Sequence, residues 1–165
     1  MRWLRFAVLI LITTMLQAGL VDITAVTTLN IKPDLLLILL VFFAIYCSRS
    51  EAIITSFAIG FAADIIASVM GPKTISFGLF GTALAYLNRL IAIKKMLYQS
   101  LVTFLTALLA GMMAQFLAFL KGQPTVAGTY TVIFGTGLYS AILGPFLFLP
   151  AAWWMRIKTQ RFSRH

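Results

Sequence analysis

Apolar stretches recur along almost the whole of this 165-residue chain, and they constrain its fold more than any other feature. A helix of about 20 apolar residues crosses the roughly 30 Å hydrocarbon core of a membrane and pairs its own backbone polar groups there. Six stretches approach or reach that length: Trp3–Val21, Asp34–Cys47, Ala52–Met70, Ile75–Ile93, Leu97–Leu120 and Thr129–Met155. The sequence therefore predicts an all-α integral membrane protein with six transmembrane helices, folded as one domain over residues 1–165.

The second stretch is too short to cross a membrane alone, because its apolar segment from Leu35 to Cys47 has only 13 residues. Two explanations remain open at this point. Either neighbouring helices shield the ends of this segment, or the preceding residues 21–32 dip partly into the membrane.

The basic residues are distributed unevenly along the chain. If the N-terminus lies inside, ten of the thirteen fall on the cytoplasmic side and three outside. The cytoplasmic group is Arg2, Arg5, Arg49, Arg89, Lys94, Lys95, Arg156, Lys158, Arg161 and Arg164, and the outer group is Lys32, Lys73 and Lys121. This distribution follows the positive-inside rule and predicts that both termini are cytoplasmic. It also explains the net charge of +9 without nucleic acid.

Residues that carry chemistry are scarce. The chain has a single cysteine, Cys47, and its single histidine is the last residue, so the sequence offers no set of metal ligands. It contains no phosphate-binding loop and no pairing of a nucleophile with a base. We therefore expect no enzymatic activity and no cofactor.

Asp64 is the candidate functional residue, because it is one of only four acidic residues and lies deep in an apolar run. An ionised carboxylate in hydrocarbon costs at least about 2.5–3.5 kcal/mol, so it needs partners. At 1.5 Å per residue it lies about 18 Å from the cytoplasmic end of its span, in the outer half of the membrane. Lys73 or the competing Lys32 could serve as its counter-ion.

Small and hydroxyl-bearing residues accompany Asp64 at helical spacing. Ser56, Gly60, Asp64 and Ser68 share one face of the third span. The short turn through Gly71 and Pro72 leads into a fourth span that carries Gly78 and Thr82, which predicts two antiparallel helices packed through small faces. Three roles for Asp64 remain open: a hydrogen-bonded cluster that fixes helix register, a partner or substrate contact, and a proton or ion relay.

Two further sets of residues can be interpreted locally. Asp34 follows Pro33 at the start of the second span, where a carboxylate interacts favourably with the positive end of the helix dipole. In the sixth span, Gly137, Ala141 and Gly144 form a small-residue face suited to close helix contact, either within the chain or with a partner's helix.

The segment from Lys32 to Arg89 resembles the rod shape-determining protein MreD family of bacteria. The resemblance lies in the order of several motifs: Pro33-Asp34 before LLLILLVFFAIY, a polar turn at Ser48–Glu51, GFAADIIAS from Gly60 to Ser68, Gly71-Pro72, and Ala85-Tyr86-Leu87. Gly60, Asp64 and Ser68 match the family's G-x3-D-x3-S/G pattern. Lys73-Thr74 departs from it, since the family pattern leads us to expect a small residue in that turn.

The resemblance implies a non-catalytic protein of the bacterial cytoplasmic (inner) membrane that acts in cell elongation. Its implied direct partner is MreC, through a transmembrane contact, and the same complex would contain MreB, RodA and a class B penicillin-binding protein. The family's fold is similar to the S component of energy-coupling-factor transporters. A vitamin-binding S component is therefore the alternative function, although the first helix lacks the A-x3-A face by which such proteins dock. Contacts with membrane lipid are expected, and homo-oligomer formation is left open.

Overall fold

The computed structural model describes residues 3–19, 32–67, 71–91, 96–123 and 128–155, and all of its regular structure is helical. Its six helices are α1 (Trp3–Gly19), α2 (Leu35–Tyr46), α3 (Arg49–Ala67), α4 (Pro72–Ile91), α5 (Met96–Leu120) and α6 (Thr129–Met155). They correspond one to one with the six apolar stretches of the sequence. The prediction of an all-helical protein is confirmed.

Within the described residues, three helices are long and apolar enough to cross a membrane: Arg49–Ala67, Leu97–Leu120 and Thr129–Met155. Two more, α1 and α2, are apolar but shorter. At 1.5 Å per residue, the 12 residues of α2 extend only about 18 Å. This length matters because both ends of α2 must then be accommodated inside the protein.

The short helix α2 forms the centre of the molecule. Each residue from Leu36 to Ala44 is buried, and α2 contacts each of the other five helices. Phe42 and Phe43 are fully buried and pack against Phe148 of α6 and Phe6 of α1, respectively. A helix that is apolar on every side is typical of such a central position. Neighbouring helices therefore shield α2, which is the first of the two explanations for its short length.

The helices α3 and α4 form an antiparallel pair joined by a short connection. Gly60 of α3 lies against Lys73 and Thr74 at the start of α4. Earlier residues of α3 contact later residues of α4: Phe57 contacts Gly78, and Ser56 contacts Gly81. This reversed order of contacts defines the antiparallel packing predicted from the small-residue faces. The structure therefore places Asp64 beside the beginning of α4.

The helices α5 and α6 form a second antiparallel pair. Gly111 of α5 lies beside Ile133 near the start of α6, and Gly144 farther along α6 lies beside Thr103. The outer faces of these helices expose large apolar side chains such as Phe116 and Phe146. Such a surface suits contact with lipid rather than water.

Candidate functional site

The Asp64 carboxylate binds the first turn of α4. Its Oδ2 atom accepts hydrogen bonds from the backbone N–H of Gly71 at 2.9 Å and of Thr74 at 2.8 Å, and from the Thr74 hydroxyl. Its Oδ1 atom accepts from the backbone N–H of Lys73 at 2.9 Å. Asp64 is only 1% exposed, so these donors take the place of water. We call this arrangement of Asp64 with Gly71, Lys73 and Thr74 the Asp64 clamp.

The clamp caps α4 with a side chain from the preceding helix. The first N–H groups of a helix have no partner within it, and the helix dipole makes that end favourable for a negative charge. Pro72 begins α4 and has no N–H, so the carboxylate meets the donors on either side of it. Charged hydrogen bonds of this kind contribute about 1.5–3 kcal/mol each. Of the roles left open, a cluster that fixes helix register is the one this geometry favours.

Lys73, one of the two lysines expected as a counter-ion, reaches Asp64 through its backbone N–H. The departure at Lys73-Thr74 is compatible with this geometry, because any residue except proline supplies a backbone N–H. Thr74 adds its hydroxyl as a fourth donor.

Two glycines make the clamp possible. A Cβ atom on Gly60 would lie 2.8 Å from the Cα of Thr74 and 2.9 Å from the carbonyl oxygen of Lys73, so only glycine lets the start of α4 approach this face of α3. Gly71 has φ of +116°, a conformation that residues with a Cβ rarely adopt. Gly60 lies one helical turn before Asp64, and its absent side chain leaves room for the donors.

The small-residue faces continue the contact away from the clamp. Gly78 is buried against the ring of Phe57, and Ser56 is fully buried against Gly81. The hydroxyl of Ser56 donates to the carbonyl of Ala52 in its own helix. That of Thr82 likewise donates within its helix, to the carbonyl of Gly78 at 2.6 Å. These two hydroxyls are therefore satisfied without a bond across the helix pair, while Ser68 lies outside the described residues.

The N-terminus of α2 is held by side chains from three parts of the chain. The Asp34 carboxylate accepts from the N–H of Leu37 at 3.1 Å, which makes Asp34 the N-cap of α2, with Pro33 just outside the helix. Gln17 of α1 accepts from the N–H of Leu35 at 2.7 Å. Ser140 of α6 accepts from the N–H of Asp34 at 2.9 Å. Together they pair backbone N–H groups that would otherwise be buried without a hydrogen-bond partner.

A cavity of about 340 Å³ opens where α2, α4 and α6 begin. Asp34 and Asp64 contribute to its wall together with Lys73, Gln115 and Thr136, and alanines of α5 provide much of the remainder. Gln115 contributes a side-chain amide to this wall. The mixture of charged, amide and apolar groups is suited to a polypeptide segment or a polar small molecule.

The small-residue face of α6 is covered within the chain itself. Gly137 and Gly144 are buried and lie beside Phe104, Ala107 and Thr103 of α5, and Ala141 is 7% exposed. Of the two alternatives that the sequence left open for this face, contact within the chain is the one observed. A partner's helix that packed on the rest of this face would have to displace α5.

Comparison with protein families decides the identity. Residues 1–158 match the family described as rod shape-determining protein MreD, which is nearly the full length of the chain. The chain belongs to the MreD family. No curated protein and no solved structure gave a match.

Family membership and geometry agree on the general character of this MreD protein. The family determines rod shape, and the three long apolar helices support a membrane protein. Across the described ranges, no group of three His, Cys, Asp or Glu side chains could hold a metal ion. The family description, a shape-determining protein, is what supports a structural role.

Sequence reasoning missed two functional residues of this MreD protein, one in the Asp64 clamp and one at the N-terminus of α2. It did not single out Thr74, whose hydroxyl and N–H both bind Asp64, or Ser140, which holds the start of α2. A signal for Thr74 was available, because Pro72 at the start of a helix places residue 74 among the unpaired N–H groups. Ser140 is separated from Asp34 by 106 residues, and no local pattern connects them.

Proposed function

We propose that this protein is a non-catalytic component of the bacterial elongation complex in the cytoplasmic membrane. Its six helices span the membrane with both termini inside, and it binds MreC and helps to position cell-wall synthesis. The family supports the role in rod shape. The uneven distribution of basic residues supports the orientation.

The cavity beside the Asp64 clamp is the observation that carries the MreC contact. With the α6 small-residue face covered by α5, the remaining candidate is the surface next to α3, and this cavity borders it. In the proposed orientation the cavity faces outward, and the Gln115 amide and charged Asp34 and Lys73 in its wall suit a peptide better than lipid tails. A segment of MreC just outside its transmembrane helix fits that position.

The Asp64 clamp supports this role by shaping the cavity. Asp64, Pro72 and Lys73 belong both to the clamp region and to the cavity wall. Fixing the first turn of α4 against α3 therefore fixes that wall, so the contact surface is formed before a partner arrives. Preorganisation of this kind lowers the entropy cost of binding. MreB, RodA and a class B penicillin-binding protein would join through MreC or through other surfaces.

A small-molecule function is the second candidate, because the same cavity is large enough for a ligand. In that case the chain would act as the S component of an energy-coupling-factor transporter. Purification of the tagged protein from its native membrane, followed by mass spectrometry, separates the two. Recovery of MreC supports the elongation role, whereas recovery of an ATPase pair with a coupling subunit would establish the transporter.

A cavity-filling substitution tests the contact surface itself. Ala114 of α5 lines the cavity, so Ala114→Phe should reduce recovery of MreC severalfold while leaving protein level unchanged. Leu109 of the same helix is 43% exposed and does not line the cavity, which makes Leu109→Phe the matched control. Equal recovery of MreC with both variants would place the contact elsewhere.

A further inference from the structure

A second cavity, of about 310 Å³, forms a groove between α1, α2 and α6 and shares no lining residue with the first. Its floor includes Leu39 and Phe148, which are buried, and its rim includes Ile12 and Leu16 of α1, which are partly exposed. Aliphatic and aromatic side chains line nearly all of it. We call this surface the α1–α6 groove.

Two polar groups of the α1–α6 groove, the Thr13 hydroxyl and the Trp154 indole, already have hydrogen-bond partners. Thr13 supplies its single side-chain hydroxyl, which donates to the carbonyl of Leu9 in the same helix at 2.8 Å. The indole N–H of Trp154 donates to the backbone carbonyl of Arg5 at 3.2 Å. An occupant of this groove therefore gains no hydrogen bond from these groups, which favours a hydrocarbon occupant.

The groove runs along α1. Leu9 and Leu16 both line it and are seven residues apart, or about 10 Å along that helix. An acyl chain can place part of its length in a groove of this size and keep the remainder in the surrounding bilayer.

Basic residues near one end of the groove indicate that the bound lipid has an anionic headgroup. Trp153 and Trp154 lie there, and the Trp154 contact places the start of α1 beside the end of α6. Tryptophans mark the membrane interface, so this end lies at headgroup level. Arg5 is positively charged, and the sequence adds Arg2 before α1 and Arg156 after α6. A positive interface of this kind attracts anionic lipid.

We propose that the α1–α6 groove binds one acyl chain of an anionic phospholipid, with the phosphate headgroup at the Arg5 end, in the leaflet that faces the chain termini. Each buried methylene contributes to retention, and the basic residues select the headgroup. The bound lipid would complete the packing of α1, in which Phe6 is the only buried residue.

Native mass spectrometry of the full-length protein tests this site after equilibration with mixed phosphatidylglycerol and phosphatidylethanolamine. We expect one phosphatidylglycerol molecule to be retained by the unaltered protein. Ile12→Phe fills the groove from its rim and should lower that retention at least fivefold. Leu11→Phe is the matched control, because Leu11 is 56% exposed, adjacent in sequence and outside the groove, and it should leave retention unchanged.

The headgroup is tested separately at Arg5. Arg5→Gln should reduce the preference for phosphatidylglycerol over phosphatidylethanolamine about fivefold, as expected for one basic residue near a membrane surface, and Arg5→Lys should restore it. Absence of retained lipid in the unaltered protein, equal retention by the Ile12→Phe and Leu11→Phe variants, or a polypeptide recovered in place of lipid would each overturn the assignment.

Discussion

Replacing Asp64 with asparagine tests the Asp64 clamp, because the change keeps the shape of the side chain and removes its charge and one acceptor oxygen. The carboxylate accepts four hydrogen bonds, three through Oδ2 and one through Oδ1. Asparagine keeps only one of the four hydrogen bonds if its carbonyl oxygen takes the Oδ1 position, and three if it takes the Oδ2 position. Its NH₂ group then faces the N–H of Lys73, so two donors meet and this N–H loses its partner.

The expected cost follows from these losses. An unsatisfied buried donor costs about 1–3 kcal/mol, and loss of the charge at the helix N-terminus adds about 0.3–1 kcal/mol. The Asp64→Asn variant should therefore be less stable by about 1.3–4 kcal/mol. For a chain of this size, 1 kcal/mol corresponds to roughly 2–4 °C in Tm, so we expect a decrease of about 3–16 °C.

Asp34→Asn provides a control with the same chemical change. Asp34 caps α2 through one hydrogen bond to Leu37, and asparagine is as good an N-cap as aspartate. Its effect on Tm should be within about 2 °C, since a few tenths of a kcal/mol separate the two residues at such a position.

Thermal unfolding in detergent measures both variants, and rod shape in a strain that depends on each variant measures function at matched protein level. We expect Asp64→Asn to lower Tm and impair rod shape, whereas Asp34→Asn should leave Tm nearly unchanged. Equal Tm for the two variants, with unchanged rod shape, would refute the clamp as a determinant of the structure.

Three other substitutions have defined outcomes in the same unfolding assay. Gly60→Ala should lower the free energy of unfolding by about 1–3 kcal/mol, because the added Cβ would clash with the backbone of α4. Gly19→Ala is the control and should leave Tm unchanged, because no atom lies within 4 Å of its added Cβ. Equal effects of the two substitutions would refute the close approach of α4 to Gly60. Gln17→Leu should cost about 1–3 kcal/mol by leaving the N–H of Leu35 unpaired, and an unchanged Tm would show that this contact is dispensable. Ser140→Ala should lower the free energy of unfolding by a similar amount, because it removes the acceptor for the N–H of Asp34 at the same terminus, and an unchanged Tm would contradict this role of Ser140.

Much of the fold could be predicted from the sequence because hydropathy determines where membrane helices lie. The six apolar stretches agree with the six helices to within a few residues at their described ends, and small residues around Gly60 and Gly78 indicated the α3–α4 pair. α4 begins at Pro72, before the predicted Ile75, because the polar first turn that binds Asp64 is itself helical.

The partners of Asp64 could not be read from side-chain charges. The sequence shows where lysines occur, but it does not display the direction of backbone N–H groups, and these are what bind the carboxylate. For the face containing Gly137 and Gly144, the sequence likewise could not identify the neighbouring helix. A stripe of small residues predicts close packing, whereas the identity of the neighbouring helix depends on the whole arrangement.

The central claim is that the cavity beside the Asp64 clamp contacts MreC, and photocrosslinking in living cells tests it most directly. A photoreactive residue at position 115 would lie in the cavity, whereas one at 116 would replace a side chain that is 57% exposed on the outer face of α5. The account predicts a crosslink to MreC from position 115 and little from position 116. A crosslink from 116 but not from 115 would contradict it.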